Sequence, residues 1–149
     1  MPTTKRSRKN KVSVQYAVAR RGVPAPAALR TWAGGASGVT LRIVGASEGL
    51  RLNSLFRKKR KATNVLSFPE GNGRGDVVLC HPVIAREARA QGKTLAAHYA
   101  HLVVHGILHL RGYDHEKKRD ALRMERREIG ILRRLGFSDP YAVKSPSLR

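Results

Sequence analysis

The chain has 149 residues, 41% of them hydrophobic, which suits one domain around a single core. Lys and Arg number 30 against 10 Asp and Glu, a formal charge of +20, so the surface draws polyanions and nucleic acid is the fitting partner. No apolar run approaches the ~20 residues that would span a bilayer, which argues against a membrane partner.

The first ten residues carry Lys5, Arg6, Arg8 and Lys9 without an acid, and read as a disordered basic arm (1–10). A domain is expected over 11–142 and a loose tail over 143–149. Val12 to Val18 alternates apolar and polar residues, as a first strand does. Ala27 to Ala33 suits a short helix before Gly34-Gly35. Thr40 to Val44 is β-branched and alternating, a second strand. Ser47 is placed to cap a helix from Glu48 to Phe56, with Leu50, Leu52 and Leu55 among its apolar positions. A basic block, Arg57 to Lys61, precedes a third strand at Thr63 to Phe68. Pro69 to Gly75 reads as a glycine-rich turn, and Asp76 to Cys80 as a fourth strand. The single cysteine, Cys80, excludes an intramolecular disulfide, sits among strand apolars, and fits a reducing, cytoplasmic setting.

Three helices follow. Pro82 to Gln91 carries proline in the tolerated first turn and stops at Gly92. Thr94 caps Leu95 to Leu110, apolar enough at Leu102, Val103, Ile107 and Leu110 to be the central helix. Glu116 to Leu135 is highly charged, with Leu122, Ile129 and Leu132 as its inner stripe, and Gly136 ends it. The expected fold is α+β: one domain, a small mixed four-stranded sheet packed with about five helices, and a site on the central helix and the turn after it. No Gly-x-Gly-x-x-Gly or Walker pattern appears, so no nucleotide cofactor is expected.

That site is a set of histidines. His105 and His109 are four apart, hence stacked on one helix face. Gly112 allows the chain to turn, and His115 then reaches the same point from a third direction. Three imidazoles with one open position is the arrangement of a catalytic zinc. The spacing resembles that of the metzincin metalloproteases, but the position of their catalytic glutamate is Gly106 here, which can move no proton. His98 and His101, two turns and one turn before His105, fall near the same face and are candidates for supporting groups or substrate contacts. Asp114 is placed either to orient a ligand histidine or to serve as an ordinary turn aspartate. His81 has no partner legible in the sequence.

The run from His98 to His115, HYAHLVVHGILHLRGYDH, resembles the signature of the bacterial YbeY family of rRNA-maturation endoribonucleases. Similar too are Leu52-Asn53, Phe56-Arg57, Thr63-Asn64-Val65-Leu66-Ser67-Phe68, Gly75-Asp76, Gln91-Gly92-Lys93 and Leu135-Gly136-Phe137 with Asp139-Pro140-Tyr141. The resemblance implies a zinc-dependent, single-strand-specific endoribonuclease of 16S rRNA 3′-end maturation and ribosome quality control, working with rRNA and the small ribosomal subunit. It carries the metal-ligand role to His105, His109 and His115, with one zinc per chain, and a functional arginine to Arg57. Arg57 would hold the phosphate through its planar fork, and Lys58, Lys59, Arg60 and Lys61 would track the RNA backbone. Tyr99, Tyr113 and Phe68 are the nearest aromatics for base stacking. Two departures stand out: Arg60 and Ala62 replace an Asp and a Pro frequent in the family, and the Pro69–Gly75 segment looks short. A non-catalytic rRNA-binding assembly factor with a structural metal is the rival reading, and a metalloprotease a distant third.

Overall fold

The computed structural model describes residues 11–57 and 63–142, the side chains of Phe56 and Arg57 excepted. The expected basic arm, the block Lys58 to Lys61 and the tail from 143 onward lie outside the described residues.

Four strands and five helices are formed among the described residues: β1 (Val12–Tyr16), α1 (Pro26–Ala33), β2 (Val39–Val44), α2 (Ala46–Arg57), β3 (Val65–Gly71), β4 (Arg74–Cys80), α3 (His81–Gln91), α4 (Leu95–Leu110) and α5 (Lys118–Arg134). The sheet runs β1-β2-β4-β3. β1, β2 and β4 are parallel, with Val12 opposite Val39 and Val39 opposite Gly75. β3 joins β4 antiparallel, Val65 opposite Leu79. The expected α+β class and mixed sheet are what is found.

Strand alternation sends Val12, Val39, Leu41, Ile43, Val77 and Leu79 to one face, where α1 and α4 cover them in the main core. Val44, Leu66, Val78 and Cys80 point to the other face and meet Leu52 of α2 and Val83 of α3. α5 packs on α4 and contributes Met124 and Leu132 to the main core. Sequestering each Leu, Ile or Val contributes about 1.5–3 kcal/mol, so α4 is the chief contributor to this core. It buries ten of its residues, among them Leu102, Val103, Ile107, Leu108 and Leu110.

Several sequence expectations shift. Pro69 to Gly75 is mostly strand. Only Asn72 (φ 57°) and Gly73 (φ 75°) turn, both with positive φ, which is the two-residue hairpin geometry that lets strands pair up to the turn. A register irregularity between Pro69 and Gly71 absorbs the proline and Glu70. α2 begins at Ala46, so Ser47 lies inside it rather than capping it. Leu50 and Leu55 of α2 are exposed, while Asn53 is buried. In α5 Leu122 is exposed and Ile129 only half-buried; the inner stripe is Met124, Glu128 and Leu132, at four-residue spacing.

α4 comes very close to the sheet at Gly106. A Cβ there would stand 2.6 Å from Val77 Cγ1 and 3.3 Å from Ser67 Oγ. Ser67 Oγ also donates to the Gly106 carbonyl at 3.2 Å. Valine is stiff at χ1 and cannot swing away. Gly106→Ala is therefore expected to lower stability by about 1–2 kcal/mol, overpacking outweighing the gain in helix propensity. Denaturant unfolding reads this directly, and a variant as stable as wild type would refute the tight contact.

Candidate metal centre

The site is built outward from α4. Thr94 Oγ1 accepts from Ala97 N at 3.0 Å and fixes the helix start, as expected of that residue. Further along the helix His105 and His109 share a face, with ring centroids 4.7 Å apart. The helix then ends in a 6→1 and 5→2 pair of bonds, Tyr113 N to Leu108 O and Gly112 N to His109 O, both 3.0 Å. That closure requires a positive φ at its glycine, and Gly112 has φ 95°. Asp114 Oδ1 accepts from the backbone N–H of His115 at 2.6 Å and of Glu116 at 3.2 Å. Asp114 thus forms the turn, and through it sets the backbone from which His115 projects.

His115 completes the trio at 5.4 Å from the His105 ring and 4.8 Å from the His109 ring. Each of the three offers a nitrogen within 4.8 Å of the others, and they line one wall of an open cleft of about 230 Å³. Thr63, Asn64, Val65, Ser67 and Pro69 of the β3 segment form the facing wall.

Behind the trio lies a residue absent from the expectations drawn on the sequence. Glu128, on α5, has no exposed surface. Its Oε2 accepts from His105 Nδ1 and its Oε1 from the Tyr141 hydroxyl. His101 Nε2 stands 3.7 Å from Oε2 and 3.1 Å from the Tyr141 hydroxyl. Burial by itself would raise the Glu128 carboxyl; the donors His101, His105 and Tyr141 overcome it and hold the group down at about 2, so it is ionised. Tyr141 moves the other way, pushed up by burial and by the carboxylate it serves. The only sequence signal for Glu128 is its place four residues after Met124 and four before Leu132.

The consequence for His105 is a fixed tautomer. With Nδ1–H committed to Glu128, the lone pair sits on Nε2, which faces His109 Nε2 at 3.2 Å. Burial, then the neighbouring His105 and His115, press His109 down from 6.5 to about 4, so it is neutral near pH 7. Three imidazoles with converging nitrogens, one braced by a carboxylate, are a donor set that fits a metal ion. His101, His105 and Glu128 also cluster closely enough to hold one. Both carboxylate oxygens there are already taken by donors, so that group acts as the support of the first.

His98 is drawn elsewhere. It is buried, and its Nε2 meets Glu87 Oε1 at 2.8 Å, an oxygen that also accepts from Asn64 Nδ2 at 3.0 Å. His98 therefore reaches the cleft only through Glu87 and Asn64. His81 finds its partner in Tyr99, Nδ1 to hydroxyl at 2.7 Å. That pairing and complete burial remove Tyr99 from any base-stacking role. Phe68 points to the opposite sheet face, beside Arg42 and Asp76. Tyr113 is half-buried against the main core. Arg57 closes α2, and its side chain is not among those described.

Fold and site together define a small α+β protein with a three-histidine centre braced by a buried carboxylate. Known proteins make this specific. The model of the endoribonuclease YbeY family matches residues 5–136, and the chain belongs to that family of RNA-cutting enzymes. It is 48% identical to the endoribonuclease YbeY of Stenotrophomonas maltophilia strain R551-3, over 88% of this chain and 92% of that one. It is 47% identical to that of Nitrosomonas eutropha, over 89% and 99%, and 57% identical to that of Bordetella petrii, over 70% of each. The solution structure of a Thermotoga maritima protein shares the fold, with a TM-score of 0.53 and 23% identity over 89% of this chain and 99% of that one.

Two measurements test the bracing. Glu128→Gln is expected to weaken metal retention about 10–100-fold in a chelator competition, with the fold intact. In the metal-free protein, the unfolded chain protonates His109 near 6.5 and the folded chain only near 4. The stability this group contributes is therefore full above about 6.5 and is lost as the pH falls toward 4. Glu128 adds a second loss between its ordinary 4.5 and about 2. Unfolding followed across that range should lose the upper step in His109→Gln; an unchanged profile would contradict the assignment.

Proposed function

We propose that this protein cuts single-stranded RNA internally, with His105, His109 and His115 holding one zinc ion, and that it matures the 3′ end of 16S rRNA and polices ribosome quality. The observation that carries this reading is the convergence of the three imidazoles on an open cleft while His105 is locked from behind by Glu128. When bound, a divalent ion supplies Lewis acidity, drawing charge from a phosphoryl oxygen and making water a better nucleophile at neutral pH.

The rest is done by the chain. Glu128 keeps the His105 lone pair on the cleft side and offsets charge that gathers there. His109 stays neutral at working pH and so has a lone pair to offer. Asn64, oriented by Glu87, and Ser67, tied to the Gly106 carbonyl, shape the wall along which a phosphodiester would lie. Arg57 is assigned to the phosphate, and Lys58, Lys59, Arg60 and Lys61 to the neighbouring backbone. His101 hydrogen-bonds to Tyr141, stands 3.7 Å from Glu128 and does not line the cleft, so it braces rather than shuttles protons.

Peptide hydrolysis is disfavoured by packing as well as by chemistry. A glutamate at position 106 would be driven into Val77 and Ser67 instead of the cleft. A purely structural metal would call for a fourth protein ligand, and none joins the trio among the described residues. No helix among the described residues is long and apolar enough to cross a membrane, and a ribosome-directed role belongs in the cytoplasm.

The test is a cleavage assay on one single-stranded pre-rRNA fragment, with metal content measured on untagged protein. Wild type is expected to carry zinc and cut. His109→Ala should lose both metal and cutting; Arg57→Ala should keep the metal and lose at least about tenfold in kcat/KM. Metal-loaded wild type that leaves the RNA whole would overturn the reading.

A further inference from the structure

We propose that a row of arginines on α5 forms a second RNA track, which holds single-stranded RNA where it leaves the three-histidine cleft. It rests on the nuclease reading for the identity of its strand, but on separate residues for its existence.

Two clefts meet at Arg111, just past the end of α4. One, of about 300 Å³, is lined by Arg111, Asp114 and Arg123 and borders the turn that carries His115. The other, of about 270 Å³, continues between α1, α4 and α5, with Arg111, Arg127 and Arg134 on its rim and Trp32 and Ile131 in its floor. Arg111 lines both, and the first lies beside the turn that carries His115.

The cations are arranged as a line. At 100° per residue Arg123, Arg127 and Arg134 fall within about 40° of one another on α5, and the row extends about 16 Å along the helix. All four arginines are exposed, and none of their guanidiniums has a hydrogen bond or ion pair among the described residues. Asp114 and Asp120 border the first cleft, and Asp114 is already occupied by the N–H groups of its own turn. Three unpaired guanidiniums kept in register on one helix repel one another, and that repulsion is relieved when a polyanion lies along the row.

Charge complementarity and shape favour a strand over a flat acidic surface. The arginine row is linear, and the second cleft sets apolar side chains on which a base can rest beside cations for phosphates, the combination that single-stranded nucleic acid requires.

The experiment measures binding of the metal-loaded chain to a long, unstructured, 2′-O-methylated RNA that cannot be cut, by fluorescence anisotropy across salt. Arg123→Gln, Arg127→Gln and Arg134→Gln combined should weaken binding about tenfold or more. The salt slope should also become shallower by about two, at about 0.7 for each phosphate left unneutralised. Removing equal charge at Arg20, Arg21 and Arg86 should change both much less. Circular dichroism melts establish that each variant is folded. Equal losses in the two sets would mean a diffuse attraction and overturn the track, as would unchanged RNA binding with lost binding to anionic vesicles or to an acidic peptide. Because the readout is binding, a wild type that fails to cut RNA sinks the nuclease reading without touching this result. Full RNA binding by the triple variant sinks the track and leaves cutting by the wild type as it stands.

Discussion

A carboxylate with no exposed surface is tolerated only when its oxygens are satisfied by strong donors, and Glu128 is held by His105 on one oxygen and Tyr141 on the other. Taking one partner away leaves an uncompensated charge inside the protein. The interaction therefore ties three regions together: α5, which brings the carboxylate; α4, which brings the imidazole; and the segment after α5, which brings the phenol. It also settles which nitrogen of His105 is free. The chemistry at the cleft is thus prepared by an anion that never meets the solvent.

The second requirement is that α4 stand close to the sheet. Gly106 permits this, since any side chain there would collide with Val77. The close approach brings the histidine face alongside β3, so that Val65, Ser67 and Pro69 can serve as the opposite wall of the cleft. The absence of a side chain and the presence of the two histidines flanking it are parts of one arrangement: the helix turns its bare position to the sheet and its imidazoles to the opening.

The local features were legible because their causes are local. Four-residue spacing, the capping threonine and the glycine stop each act within a turn or two of helix, and α4 with its trio followed from them. The α+β class followed from the order of strands and helices along the chain. What was missed depends on partners far along the chain. Glu128 looks like one more charge on a charged helix until Met124 and Leu132 are seen to share its face; of the expected stripe Leu132 is inside, Ile129 is half-buried and only Leu122 faces solvent. On α2 the expected Leu52 does pack inward, but Asn53 is buried beside it while Leu50 and Leu55 stay outside. Pro69 to Gly75 has the composition of a loop, yet pairing with β4 makes it strand except at two residues. Tyr99 and His81 satisfy each other across a helix junction, which no spacing rule reports.

The three imidazoles do not have equal footing. Two rise from a helix sealed between a sheet and another helix, while the third stands on an exposed turn held in shape by one aspartate side chain. A cation seated here would have two rigid anchors and one gate. Loading and release would then run at the pace of a single short turn, whereas the tightness of the hold would be decided on the helix.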